Sequence, residues 1–249
     1  GLLGTVLIGT AVATFFTGSN FTVNDMNQSA WTNNFRGLEA AFNLHNLSLG
    51  LTVFLLARVL GILYFVNSIN DKEIYENAFK QLWYNAIPFV VFFLTFTVWL
   101  LVRDGFAYDP QTKVVSMEPF KYTDNLIAMP IVAIVFVLGV VAVLYGIITA
   151  LLLKRTNAIW FAGPGTIATV FALFLLAGYN NTSFYPSSAD LQSSLTIENA
   201  SSSHFTLTAM SYVSLFIPVV IAYIWYTWKS INKNQIDKEE MESKEIHIY

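Results

Sequence analysis

The chain has 249 residues, 55% of them hydrophobic and 12% charged, with a formal net charge of −3. Its mean hydropathy of +0.55 leaves too little polar surface to cover a water-soluble domain, so the composition is that of an integral membrane protein. With no cysteine there are no disulfides, thiolate metal centres or cysteine nucleophiles, and thirteen basic residues without a continuous patch argue against a nucleic-acid partner.

A bilayer core about 30 Å thick is crossed by about 20 helical residues. Six apolar stretches near that length are predicted as spans, at 1–18, 44–68, 82–102, 126–153, 158–178 and 206–228. The predicted fold is therefore all-α, a polytopic transmembrane bundle of six spans over 1–230 with a polar tail at 231–249. The first stretch, GLLGTVLIGTAVATFF, opens at Gly1 with no methionine and no basic segment before it, which reads as a helix cut short in a fragment. The second opens on His45 and Asn46 and carries Arg58. The fourth is long enough to tilt or protrude. Pro88, Pro130, Pro164 and Pro218 fall inside spans, which membrane helices tolerate when neighbours satisfy the freed carbonyls. Pro164, between Gly163 and Gly165, predicts a kink.

Six crossings place both ends on one side. The side of the tail carries Lys72, Lys80, Lys154, Arg155, Lys229, Lys233, Lys238 and Lys244, against Arg36, Arg103, Lys113 and Lys121 on the other. The positive-inside rule makes the tail side cytoplasmic. Three long loops, 19–43, 103–125 and 179–205, are then expected outside. SLTIENASSSHFTLTAM, 194–210, has one acidic residue, Glu198, and no lysine or arginine. Thr206 or Ser203 is expected to cap the last span, and the low charge suits contact with a neighbouring protein surface. Asn-x-Ser/Thr triplets such as those at Asn20, Asn27, Asn46, Asn180 and Asn199 signify only asparagine-rich polar stretches.

Arg58 is the charged side chain well inside a span, where a guanidinium costs about 2.5–3.5 kcal/mol on insertion scales. It either snorkels to the boundary or pairs with a carboxylate, a lipid head group or a cofactor propionate at an interface with another subunit. The predicted spans hold no Asp or Glu, so such a partner comes from helices missing from the fragment or from another subunit. His45 at a span boundary is read as a capping or hydrated residue before a haem ligand. His204 and His247, in a loop and in the tail, are weaker candidates still. No nucleotide-binding or zinc-protease motif occurs. No catalytic or metal-binding residue is assigned, and Arg58 is the candidate buried polar contact. A stand-alone permease or carrier remains the alternative, with Gly163-Pro164-Gly165 and Arg58 as its broken-helix site.

FYPSSADLQSSLTIENASSSHFTLTAM, 184–210, with IPVVIAYIWYTWKSI, 217–231, and DNLIAMPIVAI, 124–134, resembles subunit II of the cytochrome bd quinol oxidases. The resemblance is weaker over 19–122. It implies the last six of nine helices of that subunit, in a bacterial inner membrane with the C-terminus cytoplasmic. It implies haem b and haem d held by a partner, subunit I, in an enzyme that oxidises quinol and reduces O₂ to water. It also admits a bound quinone, without assigning residues to it.

Overall fold

The computed structural model describes residues 1–231; His247 and the predicted tail beyond Ile231 lie outside the described residues. In chain order come α1 (Leu2–Thr17), a hairpin of β1 (Phe21–Val23) and β2 (Ser29–Trp31), a 3-10 turn at Leu38–Phe42, α2 (Leu44–Ser68) and α3 (Lys72–Val102). A second hairpin, β3 (Gly105–Tyr108) with β4 (Val115–Glu118), follows, then α4 (Lys121–Ala128), α5 (Pro130–Leu153), α6 (Ile159–Gly178), α7 (Ile197–Ala200), α8 (His204–Ser214) and α9 (Ile217–Ile231). Five helical stretches are long and apolar enough to cross a membrane: α2, α3, α5, α6 with its 3-10 lead-in, and α8 continuing into α9. α1 is apolar but has 16 residues, a rise of about 24 Å. The protein is a multi-pass, all-α membrane bundle.

Helix boundaries follow capping and proline chemistry. Asn43 Oδ1 accepts from the backbone N–H groups of His45 and Asn46 at 2.9 and 3.4 Å and so starts α2. Asp71 Oδ1 accepts from Ile74 N–H at 2.9 Å, which starts α3 ten residues before the predicted span. At 31 residues α3 is about 46 Å long and projects beyond the hydrocarbon core. The predicted fourth span is two helices. Pro130 stands at the first turn of α5, where its missing N–H costs nothing, and Met129 leaves helical geometry at φ −117°, ψ 72°. The last stretch also divides, at Leu215 and Phe216, because Pro218 has no N–H to continue the ladder. Ser203 caps α8 by accepting from Thr206 N–H at 3.4 Å. α6 runs uninterrupted through Pro164.

Glycine seams let pairs of helices touch backbone to backbone. A Cβ on Gly9 of α1 would lie 2.7 Å from Gly50 Cα of α2. On α5 a Cβ at Gly139 would meet Thr169 of α6 at 2.6 Å, and one at Gly165 of α6 would meet Gly139 O at 2.8 Å. Small residues substitute here for the hydrophobic drive that helices lack in lipid. Around the seams lie two apolar clusters, one with Val59, Leu63, Leu82, Phe89 and Ile147, the other with Phe16, Phe96, Leu100 and Leu176. Large apolar side chains such as Ile131, Leu138 and Ile167 point outward, as a lipid-facing surface requires.

The three long loops meet at one end and form a folded cap. β1 pairs with β2 and β3 with β4, both antiparallel, and isolated bridges join Ser19 to Ser187, Ala107 to Thr182 and Tyr185 to Leu195. Hydroxyls bind the loops together. Ser187 Oγ donates to Phe21 O, Ser187 N–H donates to Ser194 Oγ at 2.9 Å, and Val23 N–H donates to Ser193 Oγ at 2.9 Å. Ser183 Oγ donates to Leu195 O at 2.8 Å, and Thr196 and Asn199 form a reciprocal capping box that starts α7. Ser194 and Thr196 are buried against this chain's own hairpins. Within the small polar string Ser194 and Thr196 thus serve as internal mortar of the cap, whereas residues 197–208 are exposed.

At the cap surface Tyr108 Oη donates to Glu198 Oε2 at 2.5 Å, and Lys113 Nζ lies 3.0 Å from Glu198 Oε1. The Tyr108 bond, then Lys113, holds the Glu198 carboxyl below its ordinary value of 4.5. The same bond pushes the Tyr108 phenol up to about 12.

Two outcomes are expected. Gly139→Leu, which must push α5 and α6 apart, lowers the melting temperature of the detergent-solubilised protein by the equivalent of about 1–3 kcal/mol, whereas Gly163→Ala, with open space at its Cβ, leaves it unchanged. Glu198 contributes stability above its unfolded-state value, and that contribution fades as the pH falls through its lowered folded-state value. The melting temperature of wild type should exceed that of Glu198→Gln at pH 7, and the gap should close in acid. Tyr108 works in the opposite range: its contribution is complete below about 10 and is lost as the pH rises through about 12.

Candidate functional site

Two groups of polar residues stand where an apolar bundle has no structural need of charge. The first is Arg58. It lies fourteen residues into α2 and its side chain is exposed on the outer face of the bundle. Its guanidinium carbon sits 5.8 Å from the centroid of the Phe54 ring, a weak cation–π contact, and among the described residues it makes no ion pair. Ten residues separate it from Ser68 at the nearer end of α2, about 15 Å of helix.

The second group is a buried polar layer where the helices enter the cap. His45, Asn46 and Asn125 are buried, and Tyr122 is fully so. His45 stacks on Trp99 with centroids 4.9 Å apart and lies 4.9 Å from the Phe96 ring. Its Nε2 is 3.2 Å from Phe96 O, and Arg103 Nη1 is 3.0 Å from its Nδ1. A carbonyl only accepts and a guanidinium only donates, so Nε2 carries the proton and Nδ1 accepts. Arg103 Nε also donates to Asp104 O at 3.2 Å. Thr17 Oγ1 donates to Asn46 Oδ1 at 2.8 Å, and Asn46 Nδ2 donates to Ala40 O at 3.1 Å. Tyr122 Oη donates to Phe16 O at 3.1 Å, and burial raises its phenol above the ordinary range. Asn125 Nδ2 donates to Leu176 O at 3.0 Å and Thr182 Oγ1 at 2.8 Å, while its Oδ1 accepts from Asn180 Nδ2 at 3.0 Å.

These contacts correct the expectation for His45. It neither caps α2, which Asn43 does, nor faces water. It is a buried structural imidazole with both nitrogens committed. A haem iron requires one nitrogen free, so His45 in this arrangement does not fit axial ligation. His204 is the exposed first residue of α8. Among the described residues no group of three or more His, Cys, Asp or Glu converges on a metal position. The one buried imidazole among the described residues, His45, therefore has no nitrogen free for a haem iron. Arg103, Tyr122 and Asn125 carry no special signal in sequence, since each lies in a stretch predicted as loop or loop boundary. Their roles depend on side-chain and backbone partners 51 to 106 residues away, well beyond the reach of local pattern.

Two cavities accompany the polar layer. One, of about 560 Å³, opens between α1 and the turn before α2, with an apolar wall of Leu7, Ala11 and Phe15 and with Trp31, Arg36 and Ser19 toward the cap. The other, about 70 Å³ and apolar, lies among α2, α3, α5 and α6 beside Thr52, Phe89 and Thr169. The three threonine hydroxyls on its wall, Thr52, Thr166 and Thr169, all donate to carbonyls of their own helices, so none is aimed into it.

Comparison with known proteins agrees with the architecture. The chain is 28% identical over 98% of its length to cytochrome bd-I ubiquinol oxidase subunit 2 of Escherichia coli strain K12. The proteins of that description from Escherichia coli O6:H1 and O157:H7 match at the same identity and coverage. The chain spans 65% of the length of these relatives. Residues 1–231 match the family described as cytochrome bd terminal oxidase subunit II, and the chain belongs to that family.

Proposed function

We propose that the chain is the membrane subunit of a bd-type terminal oxidase that supports the reaction without ligating haem. Two quinols would be oxidised per O₂ reduced to two waters, with haem b and haem d, or a further haem b, held by subunit I. Family membership across every described residue carries this reading, and the committed nitrogens of His45 support it. The chain's own part is to pack against subunit I, to keep lipid and water from the haem region, and to close the bundle with its cap. The charge bias of the loops supports a bacterial inner-membrane protein with the cap outside and the C-terminus cytoplasmic. The larger cavity, apolar along α1 and polar toward the cap, has the shape to accept a quinone as a structural ligand.

A stand-alone carrier has less support. Such proteins bind substrate at interrupted helices, whereas α6 is continuous through Gly163-Pro164-Gly165 and Gly165 is occupied in the seam with α5.

The visible spectrum of the purified native complex tests the proposal. The complex should co-purify with a haem-bearing polypeptide and show b-type bands together with d-type bands or a second b-type species. Membranes in which this chain is deleted should lose them. Retention of those bands and of quinol-dependent O₂ uptake without the chain would overturn the reading.

A further inference from the structure

Along α2, Tyr64, Ala57, Gly61, Phe54, Phe65 and Arg58 fall within about a third of the helix circumference at 100° per residue. Toward the far end of this face α9 approaches, with Trp228 against Tyr64 at a centroid distance of 6.0 Å. Above that contact Ala57 and Arg58 are exposed, and a Cβ built on Gly61 meets nothing within 4 Å. We propose that this notch is the seat of a transmembrane helix of a partner polypeptide that carries a carboxylate at the depth of Arg58. The inference rests on the reading that the chain works inside a larger oxidase, and it adds the surface used and the chemistry of what it meets.

Three observations support that occupant. Ala57 and Gly61 are four residues apart, a small-xxx-small spacing that lets a second helix come close. The chain uses the same device for its internal contacts, where Gly9 meets Gly50 and Gly139 meets Gly165. Beside the notch stands a guanidinium with no ion-pair partner among the described residues. In hydrocarbon it is stabilised by a carboxylate with two acceptor oxygens far more than by the edge of Phe54. Other occupants meet this face less well. An acyl chain gives the guanidinium no acceptor, and a lipid phosphate belongs at the boundary about 15 Å away. A second copy packed face to face would set one Arg58 against another. α2 and the apolar part of α3 beyond Glu76 offer no carboxylate to relieve that repulsion.

The test uses the assembled complex in its native membrane. A photo-reactive phenylalanine analogue at Ala57 should form an adduct with a second polypeptide, and peptide mapping should place the adduct within a turn or two of an Asp or Glu in an apolar helix. Arg58→Leu should lower the yield of intact complex on native gels about tenfold while leaving the amount of this chain in the membrane unchanged or raised, because leucine inserts more readily. Arg58→Lys should restore most of the complex. An adduct with phospholipid alone, an adduct with a second copy of this chain, an adduct within the same polypeptide at a helix outside residues 1–249, or wild-type complex yield from Arg58→Leu would overturn the proposal. The haem bands of the unsubstituted complex report separately on the oxidase reading. Bands present with no polypeptide adduct at Ala57 overturn the docking surface alone, whereas an adduct with a carboxylate-bearing helix in a complex without haem sustains the surface and overturns the oxidase.

Discussion

Hydrocarbon offers a polypeptide no hydrogen-bonding partner, and the arrangement of this chain follows from that restriction. Within the bilayer every backbone N–H and C=O must be answered by the chain itself, which helices do. Helices so satisfied have little hydrophobic reason to associate, so they meet where glycine lets the main chains touch, at Gly9 with Gly50 and at Gly139 with Gly165. Polar side chains that must be buried gather where the helices emerge. There Asn46, Asn125 and Tyr122 each find partners on another segment of the chain.

The same restriction explains which parts were legible in sequence. Uninterrupted apolar runs announce spans directly, so α2 and α6 begin and end within about a residue of the stretches read from composition. Boundaries governed by a single side chain were less visible. Asp71 starts α3 well before its apolar portion, and Pro130 and Pro218 each divide what hydropathy joins. The cap was visible only as three long outer loops of open role, because its strands have three or four residues and their partners lie far away in sequence. A string such as SLTIENASSS shows its capacity for hydroxyl contacts, but nothing in it reveals that Phe21 and Val23 supply the other half.

The two polar groups are opposite solutions to one cost. Arg103 at the cap boundary spreads its donors over His45 and the Asp104 carbonyl, so its charge is met within the chain. Arg58, deep in α2, has an aromatic ring beside it and open space around it. Sequence singled out Arg58 because depth in an apolar run is a local property. It passed over Arg103, whose neighbours are assembled from α2 and α3 only on folding. The imidazole between them in chemistry, His45, is fixed in one tautomer by a carbonyl on one side and a guanidinium on the other, which makes it a joint between helices.

α8 and α9 have no buried residue along their length. A helix so sparsely wedged takes its vertical position from its own ends: Tyr223, Trp225, Tyr226 and Trp228 gather near one terminus with Lys229 beside them, a composition that prefers the headgroup layer. Apart from the ring contact of Trp228 with Tyr64, this aromatic girdle rather than core packing sets its depth, which ties the final helix to the thickness of the bilayer more than to the glycine-locked pairs.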